Sequence, residues 1–209
     1  MKPQVILPKV VLVDDDLAQL EDLQELFAQA HLDSSAFREP QHYLQFAPDE
    51  RIGCVITELV LPNMTGIDFL RQMRLQGNFK PVIFLTGHGT IATAVEAMRY
   101  GATDFLEKPT EYQQLLASVL RAIASDSRRQ QENRKREDFQ VRLDSLTIRE
   151  NQIMELIARG LPSKQIATRL GISIKTVEVH RSHITKKLGM RSLAELVQRL
   201  TQHRLTPKS

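Results

Sequence analysis

Six polar residues stand at or just beyond the ends of short apolar runs in the first part of the sequence: Asp14, Asp15, Asp16, Glu58, Thr86 and Lys108. Acidic side chains of this kind suit Mg²⁺, which binds one or two carboxylates together with phosphate oxygens and water. A lysine and a threonine hydroxyl beside them would stabilise the charge of a transferred phosphoryl group. Any one of these acids is equally well explained as the N-cap of the following helix, but their joint arrangement favours phosphoryl chemistry with Mg²⁺.

The elements that must bring these residues together alternate along the chain from Lys9 to Ala124. Five apolar or β-branched runs predict strands: KVVLV, LDSSAF, GCVIT, PVIFLT and TDFLEK. Apolar residues at helical spacing predict helices at 17–30, 43–46, 66–76, 90–100 and 111–124. Strands that alternate with helices are typical of an α/β doubly wound five-stranded parallel sheet, in which ligands bind outside the carboxyl ends of the strands.

The pattern changes at residue 126. Residues 126–142 are almost wholly polar, which predicts a linker or an extension of the preceding helix; a coiled-coil seam is disfavoured because only Phe139 and Val141 could form it. Beyond them, four short helices are predicted, with helix-starting positions at Thr147 with Glu150, Ser163, Ser173, and Ser192 with Glu195. We therefore predict an α/β domain at 1–125, a polar helical linker at 126–142 and an all-α four-helix helix-turn-helix domain at 143–209.

The two halves of the chain differ in charge. Residues 1–125 contain 10 Lys and Arg against 16 Asp and Glu, whereas residues 126–209 contain 18 against 9. Only the second half is therefore expected to bind a polyanion, and nucleic acid is favoured because no apolar run approaches the roughly 18 residues of a membrane span. Cys54 is the single cysteine, which excludes an internal disulfide and fits a reducing cytoplasm. Pro8 and Lys9 interrupt the amino-terminal apolar run, which is interpreted as a strand rather than a signal peptide.

Four motifs between residues 9 and 124 resemble the receiver domain of two-component response regulators: VLVDDD, ITELVLPNMTG, FLTGHGT and GATDFLEKP. The resemblance is to the FixJ-like branch of the NarL/FixJ family. The Mg²⁺ ligands that it implies are Asp14, Asp15, the carboxylate at position 58 and the backbone carbonyl of Val60. It further implies that Thr86 and Lys108 contact the phosphoryl group, that Phe105 is an aromatic rotamer switch, and that the Lys108–Pro109 peptide is cis.

Glu58 departs from this family pattern, because it stands where the phospho-accepting aspartate belongs. Glutamate is longer by one methylene, so its carboxylate would reach toward the space of an aspartyl phosphate and pair with Lys108 or Thr86. The hypothesis is that Glu58 supports little or no phosphotransfer, weakens Mg²⁺ binding and biases the receiver toward its active state as a partial mimic, since a carboxylate carries less charge than a phosphoryl group. Its origin, natural or introduced on purpose, stays open.

A second resemblance covers residues 146–200, where LTIRE, IARGLPSKQIATRLGIS, TVEVHR and KKLGMRSLAELV follow one another as in the LuxR/GerE-type helix-turn-helix. On the third helix of this domain, Val177, Ile184 and Leu188 share the face expected to enter the core. The helix face expected to enter the major groove and contact bases carries Lys175, Val179, Ser182 and Lys186, with Glu178 and His183 on its flanks. Phosphate contacts are expected from Thr176, Arg181, Lys186 and Lys187, and a backbone contact is expected from Lys164 on the preceding helix. For Glu178 two interpretations stay open: an acceptor of base contacts that adds discrimination, or a partner of neighbouring helix residues.

The helix at 90–100 and the strand after it are the expected output surface of the receiver. Family precedent implies dimerisation through Ile91, Val95, Met98 and Tyr100. The alternative, that Val95 and Met98 pack against the sheet, accounts for part of this set. The fourth helix of the DNA-binding domain is expected to mediate dimerisation on a two-fold-related DNA site.

The favoured function is a cytoplasmic two-component response regulator that binds double-stranded promoter DNA as a homodimer and regulates transcription, as an activator. It is not expected to be an enzyme. The expected partners are a cognate sensor histidine kinase, where phosphorylation is used, and RNA polymerase. One alternative is a phosphorylation-independent regulator whose receiver is only a dimerisation module. A remote alternative is a haloacid-dehalogenase-type phosphatase with Asp14 as nucleophile, Asp16 as acid/base and Lys108 downstream.

Overall fold

The computed structural model describes residues 7–46 and 50–205 of the chain. The chain divides into two compact units, with the boundary between Gln131 and Glu132. The first unit is built on a parallel sheet and the second is entirely helical in its described residues. The predicted fold class is therefore confirmed.

The first unit contains a five-stranded parallel sheet in the order β2-β1-β3-β6-β7. Its strands are β1 (Lys9–Val13), β2 (Asp33–Phe37), β3 (Gly53–Thr57), β6 (Val82–Thr86) and β7 (Asp104–Glu107). The helices that alternate with them are α1 (Leu17–Gln29), α2 (Pro40–Gln45), α3 (Gly66–Leu75), α4 (Ile91–Arg99) and α5 (Tyr112–Asp144). Every residue of β3 and β6 is buried, as expected for central strands covered on both faces by helices.

Alternation of side chains along the strands divides the core of this unit into two layers. Val11, Val13 and Val55 face one layer with α3, whereas Val10 and Leu12 face the other layer with α1 and α5. Both layers are closed by large apolar side chains of the helices. The sheet edge that carries the polar residues is thus held between two packed faces, which fixes the positions of the strand ends.

A small antiparallel hairpin follows β3 and was not predicted. It pairs β4 (Val60–Leu61) with β5 (Met64–Thr65), and Asn63 in its turn has a φ of 67°. Strands of two residues leave no periodic pattern in a sequence, which is why the hairpin was missed. The chain then turns into α3 at Gly66, where an added Cβ would lie 2.3 Å from the Glu58 carbonyl oxygen. Glycine at this position permits the close return of the chain to Glu58.

Helix α5 continues to Asp144, so residues 126–142 are helical throughout. Asp126 is completely buried and accepts a 3.0 Å hydrogen bond from the Gly53 backbone nitrogen, a 2.6 Å ion pair from Arg129 and a hydrogen bond from Gln130. Residues 131–138 are all exposed. The predicted extension of the preceding helix is therefore present, and within it Asp126 secures the helix to β3.

The second unit contains the end of α5 and four further helices, α6 (Ile148–Ala158), α7 (Ser163–Leu170), α8 (Ile174–Leu188) and α9 (Leu193–Leu205). Thr147 and Glu150 form the predicted capping box, and Ser173 caps α8 through the Thr176 nitrogen. Ser163 is different, because α7 begins at this residue and its hydroxyl does not cap the helix. The predicted core residues Val177, Ile184 and Leu188 are buried with Phe139 and residues of α6, α7 and α9. No helix in the described residues is long and apolar enough to cross a membrane.

Candidate functional site

The polar residues at the carboxyl edge of the sheet meet around one lysine. Because β1 and β3 pair in register, Asp14 and Glu58 follow opposed residues and lie side by side. The Lys108 Nζ atom donates to Asp14 Oδ2 at 2.8 Å and to Glu58 Oε2 at 3.0 Å. Lys108 is held in place by a backbone hydrogen bond to Thr86 and precedes a cis peptide with Pro109, as the resemblance implied. The pairing of Glu58 with Lys108 predicted from side-chain length is therefore present.

The second carboxylate oxygen of Glu58 turns back toward its own loop. It accepts a 2.6 Å hydrogen bond from the Leu59 nitrogen and a 3.4 Å contact from the Val60 nitrogen. Burial raises the pKa of Glu58, but hydrogen bonds from Thr86, Lys108 and Leu59 outweigh this effect and lower the pKa below its ordinary value. Glu58 is therefore an ionised carboxylate whose two oxygens are both engaged.

The pKa of Lys108 is also set by burial and by hydrogen bonds that act in opposite directions. Burial lowers the pKa of its ammonium, but the hydrogen bonds and charges of Asp14 and Glu58 outweigh burial and raise the pKa above its ordinary value. The Asp14 and Glu58 side chains are each 8% exposed, and that of Lys108 is 23% exposed. One ammonium thus serves two buried carboxylates, and the cluster retains a net negative charge.

The other two acids of the DDD motif do not join this cluster. Asp16 is exposed and caps α1, accepting hydrogen bonds from the backbone nitrogens of Ala18 and Gln19 at 2.9 and 3.2 Å. Asp15 is also exposed, and its backbone carbonyl accepts a contact from the Arg38 side chain. The N-cap interpretation therefore holds for Asp16.

The donor chemistry at this edge fits Mg²⁺, although few donors converge. Within the residues that the structure describes, no three His, Cys, Asp or Glu side chains lie close enough together to hold a metal ion. Mg²⁺ needs only one or two carboxylates besides water, so Asp14 and Glu58 are the side chains that would hold it, with Asp15 and the Val60 carbonyl at the same edge. The ion would supply positive charge for a phosphoryl group. The Lys108 ammonium already supplies charge to the same two carboxylates and would compete with it.

Phe105 lies against the core of the first unit. Its ring stacks on Phe84 with a centroid separation of 5.7 Å and an interplanar angle of 22°. A Cβ at Gly89 would lie 2.8 Å from the Phe105 ring, so the loop after Thr86 leaves room for this ring position only because residue 89 is glycine. The Thr86 hydroxyl in turn accepts a 3.0 Å hydrogen bond from the His88 nitrogen, which ties the loop to the pocket.

Helix α4 presents the apolar residues that were expected on the output surface. Ile91 is 87% exposed, and Val95, Met98 and Tyr100 are each about half-exposed, whereas Ala97 carries the packing against the sheet. The Arg71 guanidinium carbon lies 5.1 Å from the centroid of the Tyr100 ring. Val95 and Met98 are therefore not buried in the core, and dimerisation through this surface remains a prediction.

Helix α8 of the second unit exposes one polar face opposite its core face. The exposed residues predicted to bind DNA are Lys164, Lys175, Thr176, Glu178, Val179, Ser182, His183, Lys186 and Lys187. Val179 is the apolar member of this set, and its side chain is exposed rather than packed in the core. Arg181 is less accessible than the others, because its guanidinium contacts Ser163 and Glu178.

Lys187 was also expected to contact DNA phosphates, but its ammonium is already paired with a carboxylate. Its ammonium donates to the Glu150 Oε2 atom at 2.7 Å, and Glu150 accepts two further hydrogen bonds from Thr147. Burial raises the pKa of Glu150, but these bonds outweigh it and lower the pKa to about 2. The capping box revealed the local role of Glu150 in the sequence, whereas its pairing with a residue 37 positions away had no sequence signal.

Comparison with known proteins assigns both units. Residues 10–120 match the response regulator receiver domain, and residues 144–200 match the bacterial regulatory proteins of the luxR family. The transcriptional regulatory protein FixJ of Bradyrhizobium diazoefficiens is 36% identical over 189 residues, which cover 90% of this chain and 92% of FixJ. This chain is a response regulator of the NarL/FixJ family.

Further relatives of this response regulator agree with that assignment. Nodulation protein W of the same organism is 35% identical over 189 residues, covering 90% of this chain and 83% of that protein. The structure of the response regulator StyR superposes with a TM-score of 0.83 at 36% identity and covers 94% of this chain and all of StyR. Response regulators of this type bind DNA through the luxR-type domain and are phosphorylated by sensor kinases.

Glu150→Gln is expected to destabilise the DNA-binding domain of this response regulator by about 1–2 kcal/mol at pH 7, because Lys187 loses its charged partner. A lowered carboxyl pKa contributes stability that is present above the unfolded-state pKa and is lost as the pH falls toward 2. Urea denaturation of the parent and Glu150→Gln at pH 7 and at pH 3 measures the free energy of unfolding of each protein. The difference between the parent and the variant should shrink at pH 3, and an unchanged difference would contradict the ion-pair origin.

Proposed function

We propose that this response regulator is a sequence-specific transcriptional activator in which Glu58 replaces the phosphorylated aspartate and biases the receiver toward its active state. The observation that carries the proposal is the set of donors around the Glu58 carboxylate. Lys108, which family resemblance assigns to the phosphoryl group, donates to one Glu58 oxygen, and the Leu59 amide donates to the other. Thr86, the second residue assigned to the phosphoryl group, lowers the pKa of Glu58.

The mimicry is incomplete in charge. A phosphoryl group carries about −1.5 to −2 charge at neutral pH and three strong acceptor oxygens, whereas a carboxylate carries −1 and two oxygens. Glu58 offers the surrounding donors two acceptor oxygens instead of the three of a phosphoryl group, so it favours the active state only partly. Phosphotransfer from a sensor histidine kinase and tight Mg²⁺ binding are not required for this state, and Mg²⁺ binding is weakened by the Lys108 pairing.

The downstream events follow from the two exposed surfaces. The receiver dimerises through Ile91, Val95, Met98 and Tyr100 on and next to α4, the paired DNA-binding domains engage double-stranded promoter DNA, and the bound dimer contacts RNA polymerase in the cytoplasm. The names of the relatives, a nodulation protein and transcriptional regulatory proteins, support regulation of transcription but not a particular pathway.

Ile91→Glu is expected to weaken self-association of the full chain at least about tenfold, since a charge would be buried in the centre of an apolar interface. Leu75→Glu is the matched control, because Leu75 at the end of α3 is also 87% exposed and lies outside the proposed surface. Sedimentation equilibrium of the three proteins measures the association constants. Equal weakening by both substitutions, or by neither, would reject α4 as the dimer surface.

The alternative in which the receiver is only a dimerisation module makes a different prediction. In that case the Glu58→Ala variant would dimerise and bind DNA as the parent does, because no pocket contact would matter. If Glu58 instead biases the receiver toward its active state, Glu58→Ala should reduce both dimerisation and DNA binding, since Lys108 loses one of its two carboxylate acceptors. Measuring the dimer mass and the promoter affinity of the parent and of Glu58→Ala distinguishes the two hypotheses: equal values favour a receiver that is only a dimerisation module, and lower values in the variant favour a role for Glu58.

A further inference from the structure

Three side chains connect the two helices of the helix-turn-helix. Ser163, the first residue of α7, donates its hydroxyl hydrogen to Glu178 Oε1 on α8 at 2.5 Å. The Arg181 guanidinium, one turn further along α8, donates to the same Ser163 oxygen and lies 3.6 Å from the Glu178 carboxylate. The side chain of Arg181 is 22% exposed and that of Glu178 is 57% exposed. We refer to Ser163, Glu178 and Arg181 as the clasp.

The clasp removes a cation from the DNA-binding face and leaves an anion on it. Glu178 is the single acidic residue of α8, and it lies among the exposed residues Lys175, Val179 and Ser182 of the predicted base-contacting face. Arg181 was expected to contact phosphate, but its guanidinium is directed to Ser163 and Glu178. A phosphate approaching this part of the helix therefore meets a carboxylate rather than a free guanidinium.

The energetic consequence differs between specific and non-specific DNA. Non-specific binding consists almost wholly of phosphate contacts, and each contact changes log K by about −0.9 per unit of log salt concentration. Specific binding adds base contacts that do not depend on a further phosphate ligand. Withholding one arginine and presenting one carboxylate therefore weakens non-specific binding more than specific binding.

We propose that Glu178 is a specificity-determining residue, which acts by holding Arg181 on Ser163 and away from the phosphates. This role differs from a direct base contact and does not depend on the state of Glu58. The clasp weakens the binding of double-stranded DNA that lacks the target sequence.

The test compares Glu178→Gln with Glu155→Gln in the full chain. Both substitutions remove one exposed negative charge from the same domain, but Glu155 lies on α6, outside the clasp. Fluorescence anisotropy with a selected target duplex and a scrambled duplex, at several salt concentrations, gives both affinities and their salt slopes. Glu178→Gln is expected to raise affinity for the scrambled duplex about tenfold and to steepen its salt slope by about one, with a smaller gain for the target.

Two outcomes would overturn the proposal. An equal gain for both duplexes in both variants would reduce the effect to net charge, and a loss of target affinity that depends on one base pair would make Glu178 a direct base reader. A second variant separates geometry from charge: Ser163→Ala breaks the bridging hydroxyl without altering net charge, and it should also steepen the slope. The double variant Glu178→Gln, Arg181→Gln should restore the parent slope, and failure to do so would exclude Arg181 as the released phosphate ligand.

Discussion

Lys108→Met is expected to destabilise the receiver by about 2 kcal/mol at pH 7. The substitution leaves the Asp14 and Glu58 carboxylates buried side by side without their shared ammonium. Removing one partner of a fully buried ion pair costs about 3–5 kcal/mol, and the partial exposure of Lys108 reduces this figure. Methionine keeps most of the apolar volume of the lysine stem, so the loss reports charge rather than packing.

The pH dependence of this variant has the opposite sign to that of the parent. In the parent, the lowered pKa of Glu58 contributes stability that is present above its unfolded-state pKa and is lost as the pH falls through the folded-state pKa. The raised pKa of Lys108 contributes stability that is present below its unfolded-state pKa and is lost only at strongly alkaline pH. In Lys108→Met, two unpaired carboxylates repel each other, so mild acid should stabilise the protein by protonating one of them.

Urea denaturation of the parent and Lys108→Met at pH 7 and pH 5 measures both effects. The double variant Lys108→Met, Glu58→Gln is the internal control, because it removes the repulsion and should recover a large part of the lost stability. Equal midpoints for the parent and Lys108→Met at pH 7 would show that the ion pair carries no net free energy.

Glu58→Asp is expected to convert a receiver that does not accept a phosphoryl group into one that does. Aspartate withdraws the carboxylate by one methylene, which opens the space between its oxygen and Lys108 that Glu58 fills. Lys108 and Thr86 then remain available to stabilise the charge of the transferred group. The effect is the appearance of an activity rather than a graded change, and it is the largest that a single substitution in this pocket should produce.

Incubation with acetyl phosphate and Mg²⁺, followed by intact mass measurement, detects the covalent product. Glu58→Gln serves as the control that carries no carboxylate at this position. The parent and Glu58→Gln should remain unmodified, whereas Glu58→Asp should gain one acid-stable, base-labile phosphoryl group. Stoichiometric labelling of the parent at Glu58 would contradict the proposal that this carboxylate acts as a permanent substitute for the phosphoryl group.

Regular and irregular parts of the fold differ in how much pattern they leave in the sequence. The five sheet strands carry continuous apolar runs bounded by polar residues, so their positions were predictable from composition and spacing alone. The β4–β5 hairpin was not, because strands of two residues are too short for a pattern. For residues 126–142 the sequence predicted a helical linker or an extension of the preceding helix, and the structure shows the extension. Asp126 belongs to the segment predicted as a polar linker, but it is buried and accepts hydrogen bonds from the Gly53 backbone nitrogen and from Arg129 and Gln130.

The sequence by itself determined the fold class, the two functional units and the convergence of Asp14, Glu58, Thr86 and Lys108, because parallel strands bring their carboxyl ends to one edge whatever their side chains. Only the tertiary structure decided which charged groups pair. Glu150 with Lys187, Asp126 with Gly53, and the clasp of Ser163 with Glu178 and Arg181 all join residues distant in sequence. Periodicity identifies the face of a helix on which a charge lies, but the partner depends on how neighbouring helices and strands pack, since an ion pair forms only where burial and distance allow it.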